Sequence, residues 1–332
     1  MYKIIIVLMF IQTYVLANTQ VKILGSSNGE SPLQLLVEEF NQTEGLNEGV
    51  TLLLESEPQK VSQALNQGLT DEADLVLLPD AENIGPFIHK KTVSDLNLRE
   101  LLGTSVPSHL IGEKYAYVML TKRARIIYFN KQFVQQNQVS TYEDLGKNKF
   151  QGKVCLRNSS KTYNTTLVSD FIQNLGTVKT QQILKSWIFN QPVIKQKDTD
   201  VLRAVDSGEC YLGLANTYYL ASYLKENPAS DLGFIFPNQE DMGTHINGKF
   251  LILTKSGERN LAAKKVLIWL MSKNAQEFFT AGTNEFPVSQ NAALNSFQKK
   301  FGSFVENAKT DYSLIYDLKP VTQKLILNAD WK

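Results

Sequence analysis

Apolar and polar residues along the first hundred positions alternate between two rhythms. "VKILGSS", residues 21–27, is a short apolar run closed by Gly25 and serines, which predicts a strand and a turn. In "SPLQLLVEEFNQTEG", residues 31–45, Leu33, Leu36, Val37 and Phe40 recur at helical spacing, and Ser31-Pro32 supplies a cap followed by a first-turn proline. "GVTLLLES" over 49–56 predicts the next strand and "PQKVSQALNQGL" over 58–69 the next helix. "ADLVLLPDAENI" over 73–84 reads as a buried strand entering a loop. This β-α-β-α-β order opens a parallel, doubly wound sheet, whose ligands sit beyond the strand C-termini.

A second unit begins near residue 120. "GKVCLRNSSKTYNTTLVSDFIQNLG", residues 152–176, predicts strand, loop and amphipathic helix. Pro192–Ile194 reads as a strand, a helix follows from Thr199, and Tyr211–Ala215 reads as another strand. "GTHINGKFLILTKSG" over 243–257 predicts a returning strand. The stretch 260–282 predicts one helix that buries Leu261, Val266, Ile268, Trp269 and Leu270. No repeat or low-complexity tether separates the units, so the pattern implies two lobes around a cleft.

Composition narrows the functional classes. The chain has 332 residues, 43% hydrophobic and 20% charged, enough for about two domains. Its 34 basic and 33 acidic residues leave no electrostatic footprint for nucleic acid. Residues 1–17, "MYKIIIVLMFIQTYVLA", combine Lys3, an apolar core and a Val15-Leu16-Ala17 end, the pattern of an export signal cleaved near Ala17. Removing Lys3 with that segment leaves 33 bases against 33 acids. Cys155 and Cys210, in an oxidising compartment, are either one disulfide or two separate buried thiols, and their spacing does not choose. There is no G-x-S-x-G elbow and no H-E-x-x-H, and three histidines do not make a convincing Ser-His-Asp set, so an enzyme is not expected.

The segments 152–176 and "GECYLGLANTYYLASYL", 208–224, resemble the periplasmic ferric-iron-binding proteins of bacterial ABC importers. "STYEDLGKNKFQGKVCLR", "LTKRARIIYFNK", "GTHIN" and "NEFPV" resemble the same family and stand in its order across residues 115–290. The resemblance implies an α/β, two-lobed type II periplasmic-binding-protein fold, each lobe a doubly wound, mostly parallel sheet. It implies lobe 1 from 18–120 plus 245–286 and lobe 2 from 121–244 plus 287–332. By the same resemblance Tyr163, Tyr218 and Tyr219 bind Fe³⁺ through their phenolates. Ser159, Ser160, Lys161 and Arg203 fall on positions that hold a synergistic anion such as carbonate. The expected partner is an inner-membrane ABC permease, served by a periplasmic monomer. In the family a Tyr or His in the first loop closes the metal sphere. Here "LGSSNGES", 24–31, has neither, and Glu30 is its candidate oxygen ligand. That departure motivates a second reading, the same fold carrying an anion, a ferric chelate or another metal.

The residue chemistry suits the first reading. Fe³⁺ is hard and prefers anionic oxygen. A phenol, with a pKa of ~10, is protonated at neutral pH until a cation displaces the proton. Consecutive residues at a helix start lie about 100° apart, so Tyr218 and Tyr219 can face one ion if the strand ends near Ala215.

Overall fold

The computed structural model describes residues 19–26, 31–70 and 72–332. The export segment expected over 1–17 and the candidate ligand Glu30 lie outside the described residues. Ten strands are formed among the described residues: β1 (Thr19–Leu24), β2 (Val50–Glu55), β3 (Leu75–Leu78), β4 (Tyr117–Asn130), β5 (Val154–Arg157), β6 (Val193–Lys195), β7 (Leu212–Asn216), β8 (Leu232–Ile235), β9 (Ile246–Leu253) and β10 (Phe286–Pro287). They run in the order β2-β1-β3-β9-β4-β7-β5-β6, with β8 and β10 also on β4.

The first half follows the expected β-α-β-α-β order. Its opening helix, Pro32–Gln42, buries Leu33, Leu36, Val37 and Phe40, and the Gln34 N–H donates to the Ser31 hydroxyl at 3.3 Å. β1 pairs in parallel with both β2 and β3, and β9 then returns antiparallel. The second half repeats the plan, with β5 parallel to β6 and β7, and β4 antiparallel to β7 and β8.

β4 joins the halves. Tyr117 to Ala124 pair with β9, whereas Arg125 to Phe129 pair with β7, so the handover falls between Ala124 and Arg125. At 14 residues the strand is far longer than the usual five or six, and every position except Lys122 is buried. A strand buried on both faces should be apolar throughout. Arg123 and Arg125 break that rule and therefore need partners. Phe286 and Pro287 pair with Lys122 and Thr121 on the first-half stretch of β4, and Gln290 N–H donates to Ser105 O. The chain returns toward the second half around Glu306, which bridges Thr244.

The helix expected over 260–282 is two helices, Leu261–Leu270 and Lys273–Thr283. Ser272 makes the break, its hydroxyl accepting from Ala275 N–H at 3.4 Å. The buried stripe is Ala263, Val266, Leu267 and Leu270, while Leu261 and Ile268, seven residues apart on the opposite face, are 74% and 44% exposed. Cys155 and Cys210 form a disulfide with their Cα atoms 5.7 Å apart, which decides between the two alternatives.

Candidate metal centre

β5 and β7 are parallel neighbours, with Val154 opposite Leu212, so their C-terminal ends open on one side. β5 leads to the helix Thr162–Phe189, which carries Tyr163 in its first turn, and β7 leads to the helix Tyr219–Glu226. Two helix starts side by side bring together tyrosines 55 positions apart. The Tyr218 hydroxyl donates to the Tyr163 hydroxyl at 3.0 Å. Tyr219 stacks obliquely on Tyr218, ring centres 4.2 Å apart, and meets Tyr163 edge-on at 6.4 Å. Burial pushes the Tyr218 phenol well above its ordinary value, against a downward pull from Arg123. Burial also raises Tyr219. Both phenols hold their protons at neutral pH in this arrangement.

Arg123 Cζ lies 5.2 Å from the centre of the Tyr163 ring and 5.9 Å from that of Tyr218. Its fork is fixed by Glu285 at 2.9 Å, Asp80 at 3.2 Å and the Pro79 carbonyl at 3.0 Å. Glu285 is almost fully buried, and burial alone would raise its pKa. Lys249 Nζ at 2.6 Å and Arg123 outweigh burial and hold it at about 2. For Asp80 burial wins over Arg123 and its pKa is raised. Arg125, wholly buried, donates to Asp198 at 2.7 Å and to Asn164 at 2.9 Å. Arg157 Cζ sits 5.3 Å from the Tyr163 ring centre, and its Nη1 lies 3.7 Å from the Asp198 carboxylate, too long for a hydrogen bond.

These groups line a cleft of about 490 Å³. One wall holds Arg157, Lys161, Thr162, Tyr163 and Tyr218; the other holds Pro32, Pro79, Asp80, Asn83, Arg123, Lys249, Thr283 and Glu285. Tyr219 is half-buried against the Tyr218 ring and is not among the side chains lining this cleft. Among the described residues no group of three or more His, Cys, Asp and Glu is arranged to hold a metal, which leaves phenol oxygens as the clustered donors.

The other sequence-predicted positions are placed apart from the phenols, with Lys161 the exception. Ser159 is buried and donates to the Trp331 carbonyl at 2.8 Å. Ser160 is exposed and bonds Asn158 at 2.6 Å. Lys161 is the backbone cap of the Thr162–Phe189 helix and reaches the cleft. Arg203 lies on the helix Asp198–Asp206, pairs with Asp200 at 2.9 Å and is 63% exposed, away from the cleft lining. The cations that do reach the rings, Arg123, Arg125 and Arg157, were not singled out by sequence. The available signal was "KRAR" inside the apolar run 117–130, where period-two alternation puts both arginines on one face.

A model described as bacterial extracellular solute-binding protein matches residues 36–303, most of the chain. The chain belongs to the bacterial extracellular solute-binding proteins. Among curated relatives, this solute-binding protein is 34% identical over 280 residues to iron uptake protein A1 of Synechocystis, covering 80% of this chain and 76% of that one. Among solved structures it is similar to the Trichodesmium protein IdiA (FutA) in complex with iron and citrate, at 29% identity and a TM-score of 0.83, over 94% of this chain and 100% of the other. The ferric binding protein of Campylobacter jejuni superposes with a TM-score of 0.75 at 26% identity, over 94% and 100% of the two chains. The fold is the two-lobed α/β architecture of these neighbours, as the resemblance implied.

Proposed function

We propose that this solute-binding protein captures ferric iron in its cleft through Tyr163, Tyr218 and Tyr219 and delivers it to an ABC permease. The carrying observation is the 3.0 Å contact between the Tyr163 and Tyr218 oxygens. Adjacent oxygens around an octahedral ion with bonds of 2.0–2.1 Å lie about 2.9 Å apart. The hydrogen bond already spans the edge that an ion would occupy, so exchanging the shared proton for a metal needs little movement. The names of the relatives put iron ahead of another solute. Each bound phenolate releases a proton, so capture weakens in acid.

A carbonate-sized anion would complete the sphere against Arg157 and Lys161, which line the cleft at the start of the Thr162–Phe189 helix. This role replaces the one expected of Arg203. For the lobe division, the backbone pairing favours passages at Ala124–Arg125, Thr244–His245 and around Glu306. The protein works as a binder rather than a catalyst, as a periplasmic monomer released by cleavage near Ala17. Among the described residues no helix is long and apolar enough to cross a membrane.

Titration of the apo-protein with Fe³⁺ should raise a visible phenolate-to-iron absorbance band. Tyr163→Phe/Tyr218→Phe/Tyr219→Phe should abolish it and cut affinity by more than the roughly 10–100-fold that an outer partner costs. A band that survives in this triple variant would reject the assignment.

A further inference from the structure

The three passages between the halves lie side by side as one hydrogen-bonded ribbon. Arg125 N–H donates to His245 O at 3.1 Å, Thr244 N–H to Val305 O at 2.9 Å, and Asn307 N–H to Thr244 O at 2.9 Å. Two side chains of the second half grip this ribbon. The Tyr142 hydroxyl donates to Arg125 O at 2.6 Å and accepts from His245 N–H at 3.1 Å, tying the first passage to the second. Asp170, fully buried, faces His245 Nδ1 at 3.0 Å and accepts from Asn307 Nδ2 at 3.0 Å and from the Thr310 hydroxyl, tying the second to the third.

Asp170 sits on the same helix as Tyr163, seven residues on. Seven residues are almost two turns, so both side chains lie on one face of a continuous segment that breaks only at Gly176. A carboxylate accepts and does not donate, so His245 turns a protonated Nδ1 to Asp170 and its Nε2 away from it. That Nε2 is buried without a hydrogen-bond partner. A buried polar atom left unpaired at one hinge angle is a cost that another angle can relieve.

We propose that Asp170 and His245 form a positioning pair that couples the three interlobe passages to the helix bearing Tyr163, so that rotation of the halves moves one of the cargo-binding phenols. The cargo part of this statement rests on the iron reading; the coupling part does not. The geometry transmits motion because the pair holds the ribbon at one end of a rigid helical segment whose other end is the cleft. Neither residue touches the cleft, so its effect passes through Tyr163.

The test uses the whole chain with His245→Leu, which deletes the bond to Asp170, and His245→Asn, whose side-chain N–H can replace Nδ1–H. In the metal-free protein, amide exchange at Arg125, His245, Asn307 and the first turn after Tyr163 should quicken together by roughly tenfold in the Leu variant. β1 should stay unchanged, and the Asn variant should remain within about threefold of the parent. With Fe³⁺ bound, release to a competing chelator should quicken by roughly tenfold in the Leu variant with the band at its parental wavelength. A change confined to residue 245, one shared with β1, an equal effect of Leu and Asn, or unaltered release from the iron-loaded Leu variant would each overturn the proposal. If the parent binds no Fe³⁺ at all, the iron reading fails, and the exchange measurements still decide the coupling.

Discussion

The two walls of the cleft are built from different chemistry. The wall at the ends of β5 and β7 is phenolic: Tyr163 and Tyr218 present hydroxyl oxygens 3.0 Å apart. The wall beside β3, β9 and β10 is ionic, with Arg123 forked between Asp80 and Glu285 and Lys249 on the same carboxylate. Neutral phenols can be packed in contact without like-charge repulsion, which fixed carboxylates could not. The ionic wall has its charges paired in advance, so it stands as a fixed field facing groups that become anionic only when a cation arrives. The phenols that can change charge thus stand on one wall, and the wall facing them holds ion pairs already formed.

The largest stability effect expected of a single lesion tests whether the walls are held independently. The Cys155–Cys210 disulfide ties β5 to the segment entering β7, beneath the phenols, and closes a loop of 55 residues. Chain-entropy arguments assign such a loop about 4 kcal/mol. Cys155→Ala/Cys210→Ala should lower the unfolding free energy of the second half by about that amount in denaturant titration. The acid limb governed by Glu285 should be unaffected. A variant that lost both together would show that the walls unfold as one unit.

Glu285 gives the next largest effect, on the ionic wall. Its folded pKa of about 2 lies below the ordinary 4.5. A depressed carboxylate contributes stability above its unfolded pKa and loses it as pH falls through the folded one. The difference corresponds to about 3 kcal/mol, lost between pH 4.5 and 2. Glu285→Gln should flatten that limb in a series of melts from pH 7 to pH 2. An unchanged acid limb in the Gln variant would place the acid sensitivity elsewhere.

The unequal legibility of the two walls has a physical reason. Period and caps were enough for β1 to β3 and their helices, because Ser31, Pro32 and the apolar spacing act within one element. The phenols were legible through a resemblance, since no local rule brings Tyr163 to Tyr218. The pairing of β5 with β7 does so, and the same pairing places Cys155 near Cys210 although 55 residues intervene. The ionic wall stayed hidden. Arg123 on β4 meets Asp80 after β3 and Glu285 before β10, three segments joined only by sheet order. Ser272 shows the reverse failure: a polar residue in a helical pattern reads as a surface position until its hydroxyl caps a new helix.

Between the walls, Arg123 is the shared element, and Arg123→Gln should weaken Fe³⁺ capture by roughly 10–100-fold while leaving the band in place. Its charge pulls the Tyr218 phenol down against burial. Without it the phenol holds its proton to higher pH, so the pH midpoint of band formation should move upward. A midpoint that stayed put, or moved down, would mean that the ionic wall supports the fold and does not assist the phenolates.

Arg203 supplies the smallest expected effect and the sharpest contrast with Arg157. Both are arginines of the second half, but Arg157 lies over Tyr163 and beside the buried Asp198, its Nη1 3.7 Å from that carboxylate, whereas Arg203 is 63% exposed and paired with Asp200 three residues before it. An exposed pair at that spacing contributes about 0.3–0.5 kcal/mol. Arg203→Ala should therefore shift stability by no more than about 0.5 kcal/mol and leave both Fe³⁺ affinity and its dependence on added carbonate at parental values. Arg157→Ala, measured alongside, should reduce the carbonate dependence. If the two variants exchanged these outcomes, the anion would sit on the helix Asp198–Asp206 and not beside Tyr163.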